Sequence, residues 1–368
     1  MKRIGLYIHI PFCQQKCAYC DFYSIPGRDE SLQNRYINAL TLHMKTLSAT
    51  MEDRVFDTVY IGGGTPGLLT EEMLTTLMNG IKLYFHLAEN AEITLETNPA
   101  VTNEAKFRIM RELGINRISM GMQSSDPSVL KTLGRLHTFD QFAETYNAAR
   151  RAGFENISAD VMYALPGQTV SGLLDTLRSL IALSPEHVSM YGLKVEENTP
   201  FGRMGEKLSL PDEDTQCEMY ERACELLENA GYHRYEISNF AKSGYESQHN
   251  LRYWHREEYL GLGPAAHSFV DGVRYSYPRD IENYLSALEQ GRLPETDSRV
   301  MITPAEAKDE EVMLGLRLAE GIVADNDLLA KCRNYLRYGF MEQKGDRIAF
   351  TTKGFLVSNT ILTELMDD

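Results

Sequence analysis

The chain lacks any long apolar run. No stretch approaches the ~20 apolar residues that span a bilayer. The N-terminus, MKRIGLYIHIPFC, has neither the extended apolar segment nor the small-residue cleavage site of a secretory signal. The expectation is a cytoplasmic chain. Positive charge is also scarce: 37 Lys and Arg face 52 Asp and Glu, a net charge of −15. A nucleic-acid surface needs a basic field that displaces counterions, so no nucleic-acid partner is expected. No single-sign run reads as a tail, and no low-complexity segment or repeat appears beyond one alternation of strand-like and helix-like runs. Tryptophan occurs once, at Trp254, and cysteine six times. Where thiols stay reduced, a few cysteines that nonetheless cluster read as metal ligands rather than disulfides.

What the chain has in quantity is β/α alternation. Strand-like runs lie at 5–10, 58–63, 92–97, 117–122, 157–163 and 187–193, with amphipathic stretches near 31–49, 70–85, 103–113, 139–152 and 170–183 between them. Strands each followed by a helix predict a parallel sheet with right-handed crossovers. Six units fall short of the eight that close a barrel, so the fold class is α/β, an open (β/α)6 partial barrel. Ligands in such folds bind at the C-terminal strand ends. The pattern changes after residue 200. Residues 201–300 begin with a helix over 211–231, with Asp212 as N-cap, and continue as a loop-rich aromatic stretch. Residues 301–368 form a smaller α+β part: a helix over 303–319, then helix, short hairpin (RIAFTT) and helix, the order of a winged helix.

Cys13, Cys17 and Cys20 stand at C-x3-C-x2-C spacing where the first strand ends. Three thiolates can hold three irons of a cubane cluster that normally takes four, leaving one iron open to a small molecule. Structural zinc with His9 as fourth ligand is the rival, but zinc sites usually pair two separate hooks and no second hook is present. Cys217, Cys224 and Cys332 lie in helical stretches and read as small buried hydrophobes.

Other chemistry-bearing positions are spread along the chain. In Gly62-Gly63-Gly64-Thr65-Pro66, glycines let backbone approach a ligand and free amides can bind a carboxylate; a plain tight turn is the alternative. Glu96, Gln123 and Asp160 fall at or near later strand ends, and Arg135 follows the fourth strand. Polar groups there line a pocket, cap helices or face solvent. His249-Asn250-Leu251-Arg252-Tyr253-Trp254 sets an imidazole among aromatic rings. That suits a haem, and equally a satisfied histidine in an aromatic core anchored by Trp254. His9, His137, His187, His233, His255 and His267 are further candidate iron ligands.

The string HIPFCxxxCxYC followed by GGGTP resembles the radical SAM superfamily. The resemblance implies that the open iron chelates the amino and carboxylate groups of S-adenosylmethionine. An electron from the 4Fe–4S cluster would then split the sulfonium to give a 5′-deoxyadenosyl radical. The strand-end residues are similar to those of the oxygen-independent coproporphyrinogen III oxidases and their relatives, through nearly the whole chain. On that pattern Tyr7 packs near the cofactor and Tyr19 meets its adenine by backbone. Gly63, Gly64, Thr65, Glu96, Gln123, Arg135 and Asp160 line its pocket. Gly192 and His267 correspond more loosely, His267 through its backbone.

Two departures separate the chain from the oxidases. They carry a cysteine where Phe22 stands, and an N-terminal extension before the first strand, which here begins at residue 4. The HNxxYW string, with the following YxGxGxxAH, resembles a haem-chaperone branch of the same subfamily. His249, Asn250, Tyr253 and Trp254 are then the expected haem contacts. That branch implies 4Fe–4S, S-adenosylmethionine and haem as cofactors, haem delivery to respiratory acceptor proteins, a homodimer and contact at a membrane surface. The alternative is a radical enzyme that decarboxylates two propionates of coproporphyrinogen III.

Overall fold

The computed structural model describes residues 1–27 and 29–366. The first strand, β1 (Lys2–Ile10), shows why the sheet forms. Its side chains alternate between faces: Ile4, Leu6, Ile8 and Ile10 are fully buried on one, while Tyr7 and His9 share the other. A strand buried on both faces belongs in a sheet covered on both sides. β1 pairs in parallel with β2 (Arg54–Gly63), β2 with β3 (Leu87–Thr97), and β3 with β4 (Arg117–Gln123). Two more strands follow, β5 (Ile157–Tyr163) and β6 (His187–Gly192).

The intervening helices Glu30–Ser48, Glu71–Tyr84, Glu104–Glu112, Phe139–Arg151 and Val170–Leu183 match the amphipathic stretches. Their starts are set by side chains that accept from exposed helix amides. Thr70, Asn103, Thr138 and Thr169 do so, and Thr138 with Gln141 closes a full capping box.

The chain divides into two compact units, each discontinuous in sequence. The first comprises 1–160, 194–208 and 257–301; the second comprises 161–193, 209–256 and 302–368. This division follows different lines from the segmentation by sequence order. Part of the aromatic stretch expected to be loop-rich is regular structure in the first unit. Tyr259–Leu262 pairs in parallel with β1 on the side away from β2. Strands His267–Val270, Val273–Ser276 and Ser298–Met301 extend that edge antiparallel. Arg54 anchors the edge: its guanidinium is buried and held by Glu258 and by Asp271 at 2.7 Å.

In the second unit, β6 pairs antiparallel with Asn239–Ala241, which pairs with His233–Arg234. Asp212 caps the helix Glu213–Asn229 as expected, its carboxylate accepting from the Thr215 amide. The C-terminal part holds helices Pro304–Gly315, Asn326–Arg337 and Ser358–Met366. A three-stranded antiparallel sheet joins Ile322–Val323, Arg347–Phe350 and Met341–Lys344 in that order. The helix–hairpin–helix succession is the one expected. No helix among the described residues is long and apolar enough to cross a membrane.

Candidate functional site

The cysteine loop leaves β1 at Ile10 and is closed at its base. Phe12–Cys13 pairs in parallel with Ile25–Pro26, and the Gly27 amide donates to the Cys13 carbonyl at 2.9 Å. Within the loop, the Ala18 amide donates to Leu133 O at 3.0 Å, and the Phe201 amide donates back to Ala18 O at 3.0 Å. Cys13, Cys17 and Cys20 are free and partly exposed inside this tethered loop. Burial pushes the Cys13 thiol up and the Cys20 thiol up to about 11; a bound metal deprotonates such thiols outright. Among the described residues, no three His, Cys, Asp or Glu are gathered where one metal ion could be held. A cubane spreads its thiolates over separate irons, so three cluster ligands need not meet at one point.

The glycine run lies where β2 ends, and here the expectation needs correction. The amides read as free for a carboxylate are already committed. Gly63 N donates to Glu96 at 3.0 Å, Gly64 N to Ile10 O at 2.8 Å and Thr65 N to Phe12 O at 2.7 Å. The glycines serve close packing instead. A Cβ on Gly64 would come within 2.6 Å of the Phe12 carbonyl oxygen, and one on Gly63, whose φ is +105°, within 2.4 Å of the His9 ring. The glycines thus seat the cysteine loop on the sheet.

Behind them lies a buried polar layer. Glu96, at the end of β3, accepts from the Tyr60 hydroxyl at 2.7 Å as well as from Gly63 N. Burial pushes its carboxyl up to about 7, Asp160 adding to the rise. Asp160 accepts from Ser119 at 3.3 Å. Tyr7 meets His9 Nδ1 at 2.9 Å, and His9 Nε2 meets the Tyr23 carbonyl at 2.8 Å. A carbonyl only accepts, so Nε2 carries the proton and Nδ1 accepts from the Tyr7 hydroxyl. Burial pushes His9 down to about 4, so the ring is neutral with both nitrogens used. It has no lone pair left for the zinc role.

A second polar chain joins two of the cysteines. Thr65 Oγ1 lies 3.6 Å from Cys13 Sγ and accepts from Asn98 Nδ2 at 2.9 Å. Asn98 Oδ1 accepts from Arg135 Nη2 at 2.8 Å, and Arg135 Nη1 reaches Cys17 Sγ at 3.6 Å. Arg135 also donates to Gly121 O at 2.5 Å. Its Nε is buried with no hydrogen-bond partner among the described residues. A buried cationic donor without an acceptor, beside a thiol, fits an anionic cluster and a ligand carboxylate. Gln123, the last residue of β4, is held at φ 64°, a sparsely populated conformation for a side-chain-bearing residue.

These contacts gather Tyr7, Cys13, Cys17, Gly63, Gly64, Thr65, Glu96, Arg135 and Asp160 on the C-terminal strand ends of the first unit, the face the sequence predicts. Tyr19 and Cys20 lie in the same loop, and Phe22 beside them is 66% exposed. Tyr60 and Asn98 belong to the same network and were missed. Their only sequence signal is position, within TVYIGGG and LETNP. His267 opens a strand of the first unit and is exposed. Gly192 ends β6 in the second unit, where an added Cβ would meet the Tyr163 ring at 3.0 Å.

The HNxxYW residues lie in the second unit, on the helix Gln248–Trp254. His249 is 1% exposed, and its Nε2 lies 2.9 Å from the Tyr253 hydroxyl. The two rings meet edge to face at 5.1 Å. His249 therefore adopts the satisfied-core arrangement that was the alternative for it. Trp254 and the next residue, His255, line a cavity of about 750 Å3 within this unit.

Residues 7–180 match the model of the radical SAM superfamily. The chain is 38% identical to the haem chaperone HemW of Bacillus subtilis, over 86% of this chain and 84% of that one. It is 34% identical to the haem chaperone HemW of Lactococcus lactis, over 100% and 98%. The chain belongs to the HemW family. Its fold is that of a solved radical SAM enzyme, coproporphyrinogen III oxidase (HemN) from Escherichia coli. That match has a TM-score of 0.87 at 22% identity, over 99% of this chain and 90% of that one. The open partial barrel with a smaller α+β part is thus the observed fold class. Membership of the radical SAM superfamily implies a 4Fe–4S cluster and S-adenosylmethionine.

Proposed function

We propose that this chain is a haem chaperone: it binds haem on a radical SAM scaffold and passes it to acceptor proteins. The carrying observation is the extent of the HemW likeness, which runs past the radical SAM region through the second unit to the C-terminal part. In this reading Cys13, Cys17 and Cys20 hold three irons of the cluster. S-adenosylmethionine occupies the strand ends beside Tyr7, Tyr19, Gly63, Gly64, Thr65, Glu96, Gln123, Arg135 and Asp160, with His267 as a further contact. When bound, the cluster supplies the electron that cleaves the sulfonium.

The chain's own residues position and shield. The Arg135 guanidinium offers its unpaired Nε–H to a carboxylate, and Thr65 and Arg135 donate toward the sulfurs of Cys13 and Cys17. Glu96, fixed by Tyr60 and Gly63, presents a carboxyl able to meet an amino group. Residues 1–200 would carry this core, 201–300 the HNxxYW extension and 301–368 the winged-helix-like part. A cytoplasmic homodimer, with respiratory haem proteins as acceptors reached at the membrane surface, completes the reading.

The fold likeness to HemN keeps one rival, oxidative decarboxylation of coproporphyrinogen III. Anaerobic incubation of the reconstituted chain with that substrate, S-adenosylmethionine and reductant separates the two. No protoporphyrinogen is expected, and turnover would favour the enzyme.

A further inference from the structure

Seven imidazoles were candidates for an iron ligand, and the structure sorts them. His9 is tied at both nitrogens, to Tyr7 and the Tyr23 carbonyl. His137 Nε2 meets Met122 O at 3.1 Å, His187 Nε2 meets the Tyr235 hydroxyl at 2.8 Å, and His233 Nε2 meets Glu246 at 2.6 Å. His249 is buried against Tyr253. Only His255 and His267 of the seven have side chains without a hydrogen bond among the described residues. His267 stands in the first unit, at the start of a strand. His255 lines the 750 Å3 cavity of the second unit next to Trp254.

The backbone of His255 is fixed while its ring is not. It caps the helix Gln248–Trp254, its amide donating to Leu251 O at 2.8 Å. Arg256 follows at φ 56° and pairs with Glu310 at 2.8 Å, locking this turn to the helix Pro304–Gly315. That helix forms one wall of the cavity, through Lys308 and Val312, and the helix Asn326–Arg337 contributes Leu328. The volume lies in the range of pockets that bury a cofactor-sized ligand. Its lining joins an indole and aliphatic side chains to three cations and four carboxylates. Among the cations, Lys308 is the least committed. Its tie to Asp325 is 3.7 Å long with both side chains mostly exposed, and such a pair is worth at most about 1 kcal/mol.

We propose that this cavity is the haem site, that His255 rather than His249 supplies the axial nitrogen, and that Lys308 receives a haem carboxylate. The proposal rests on the haem-chaperone reading and assigns its place. Trp254 offers a flat face to the macrocycle. The buried His249–Tyr253 pair keeps the helix in position.

The test is a hemin titration of the full reconstituted chain, read by difference absorption and by EPR of the ferric haem. Wild type should show one site with a nitrogen-ligand signature. His255→Ala should lose that signature and at least about tenfold in affinity, and free imidazole should restore the signature. His249→Gln should retain it. Val312→Trp, which fills the cavity without touching a ligand, should weaken binding. A His255→Ala protein that matches wild type, or a folded His249→Gln protein that alone loses the signature, overturns the assignment. If wild type binds no hemin, the chaperone reading itself fails. If wild type binds and His255→Ala is indifferent, only the site does.

Discussion

Asn98 Oδ1 accepts a 2.8 Å hydrogen bond from Arg135 Nη2, and through that bond the positions of Cys17 and Cys13 are coupled. Arg135 reaches Cys17, while the other end of the Asn98 amide holds Thr65 against Cys13. Arginine only donates, so the amide oxygen must face it and the amide nitrogen must face Thr65. Asn98→Ala leaves a buried guanidinium short of an acceptor, at a cost of about 1–3 kcal/mol. The variant should assemble its cluster yet show altered EPR of the reduced cluster and weaker S-adenosylmethionine binding. Wild-type EPR and affinity in the variant would show that the chain of bonds does not act on the cluster.

Changing Cys13, Cys17 and Cys20 to Ala should abolish the brown chromophore of anaerobically reconstituted protein. Iron should fall from about four per chain to near none. The changes leave the fold intact, since all three side chains are partly exposed; circular dichroism checks this. Full iron content in the triple variant would remove these cysteines from the site.

Gly64→Ala tests whether the glycine run seats the cysteine loop. Its Cβ would press on the carbonyl oxygens of Phe12 at 2.6 Å and Ile10 at 2.7 Å, which are backbone and cannot swing aside. A cost of about 1–3 kcal/mol is expected. Cluster occupancy should drop although every cysteine remains. Denaturant unfolding with parallel iron analysis measures both, and unchanged values would contradict the packing role.

The β/α alternation was readable in the sequence because strands such as GLYIHI are short apolar runs and the helices carry Thr or Asn caps. Tyr259–Leu262 was not, because its parallel partner β1 is some 250 residues away and the run YLGL carries no alternation. The cysteine spacing was readable as chemistry. The role of the amides in the glycine run was not, since only the fold shows that the Ile10 and Phe12 carbonyls accept from Gly64 and Thr65. Asn98, before a proline, has no sequence signal beyond that of a turn residue. His249 and His255 are both histidines among aromatic and charged residues, and only the fold separates them, by the burial of His249 and its bond to Tyr253.

A pH dependence follows from His43, whose ring lies between the hydroxyls of Tyr284 at 2.7 Å and Tyr277 at 3.1 Å. Burial pushes it from the ordinary 6.5 down to about 3. The unfolded chain therefore binds a proton in that window that the folded chain does not. The contribution is fully present above pH 6.5 and is lost as pH falls toward 3, by about 1.4 kcal/mol per unit. Glu236, pushed by burial up to about 7, acts with the opposite sign between its ordinary 4.5 and 7. The difference between variants thus isolates His43. His43→Gln should reduce the slope of unfolding free energy between about pH 4 and 6 by roughly one proton. Urea titrations across that range check it, and an unchanged slope would mean that His43 charges in the folded state.

A haem chaperone must both carry haem and give it up. The direct measurement loads the reconstituted protein with one equivalent of haem, removes the excess and mixes it with an apo haem protein, following the acceptor's absorption spectrum. A haem-chaperone role predicts that the acceptor gains haem as the donor's spectrum is lost. Haem that is never retained by the donor, or never leaves it for the acceptor, would contradict it.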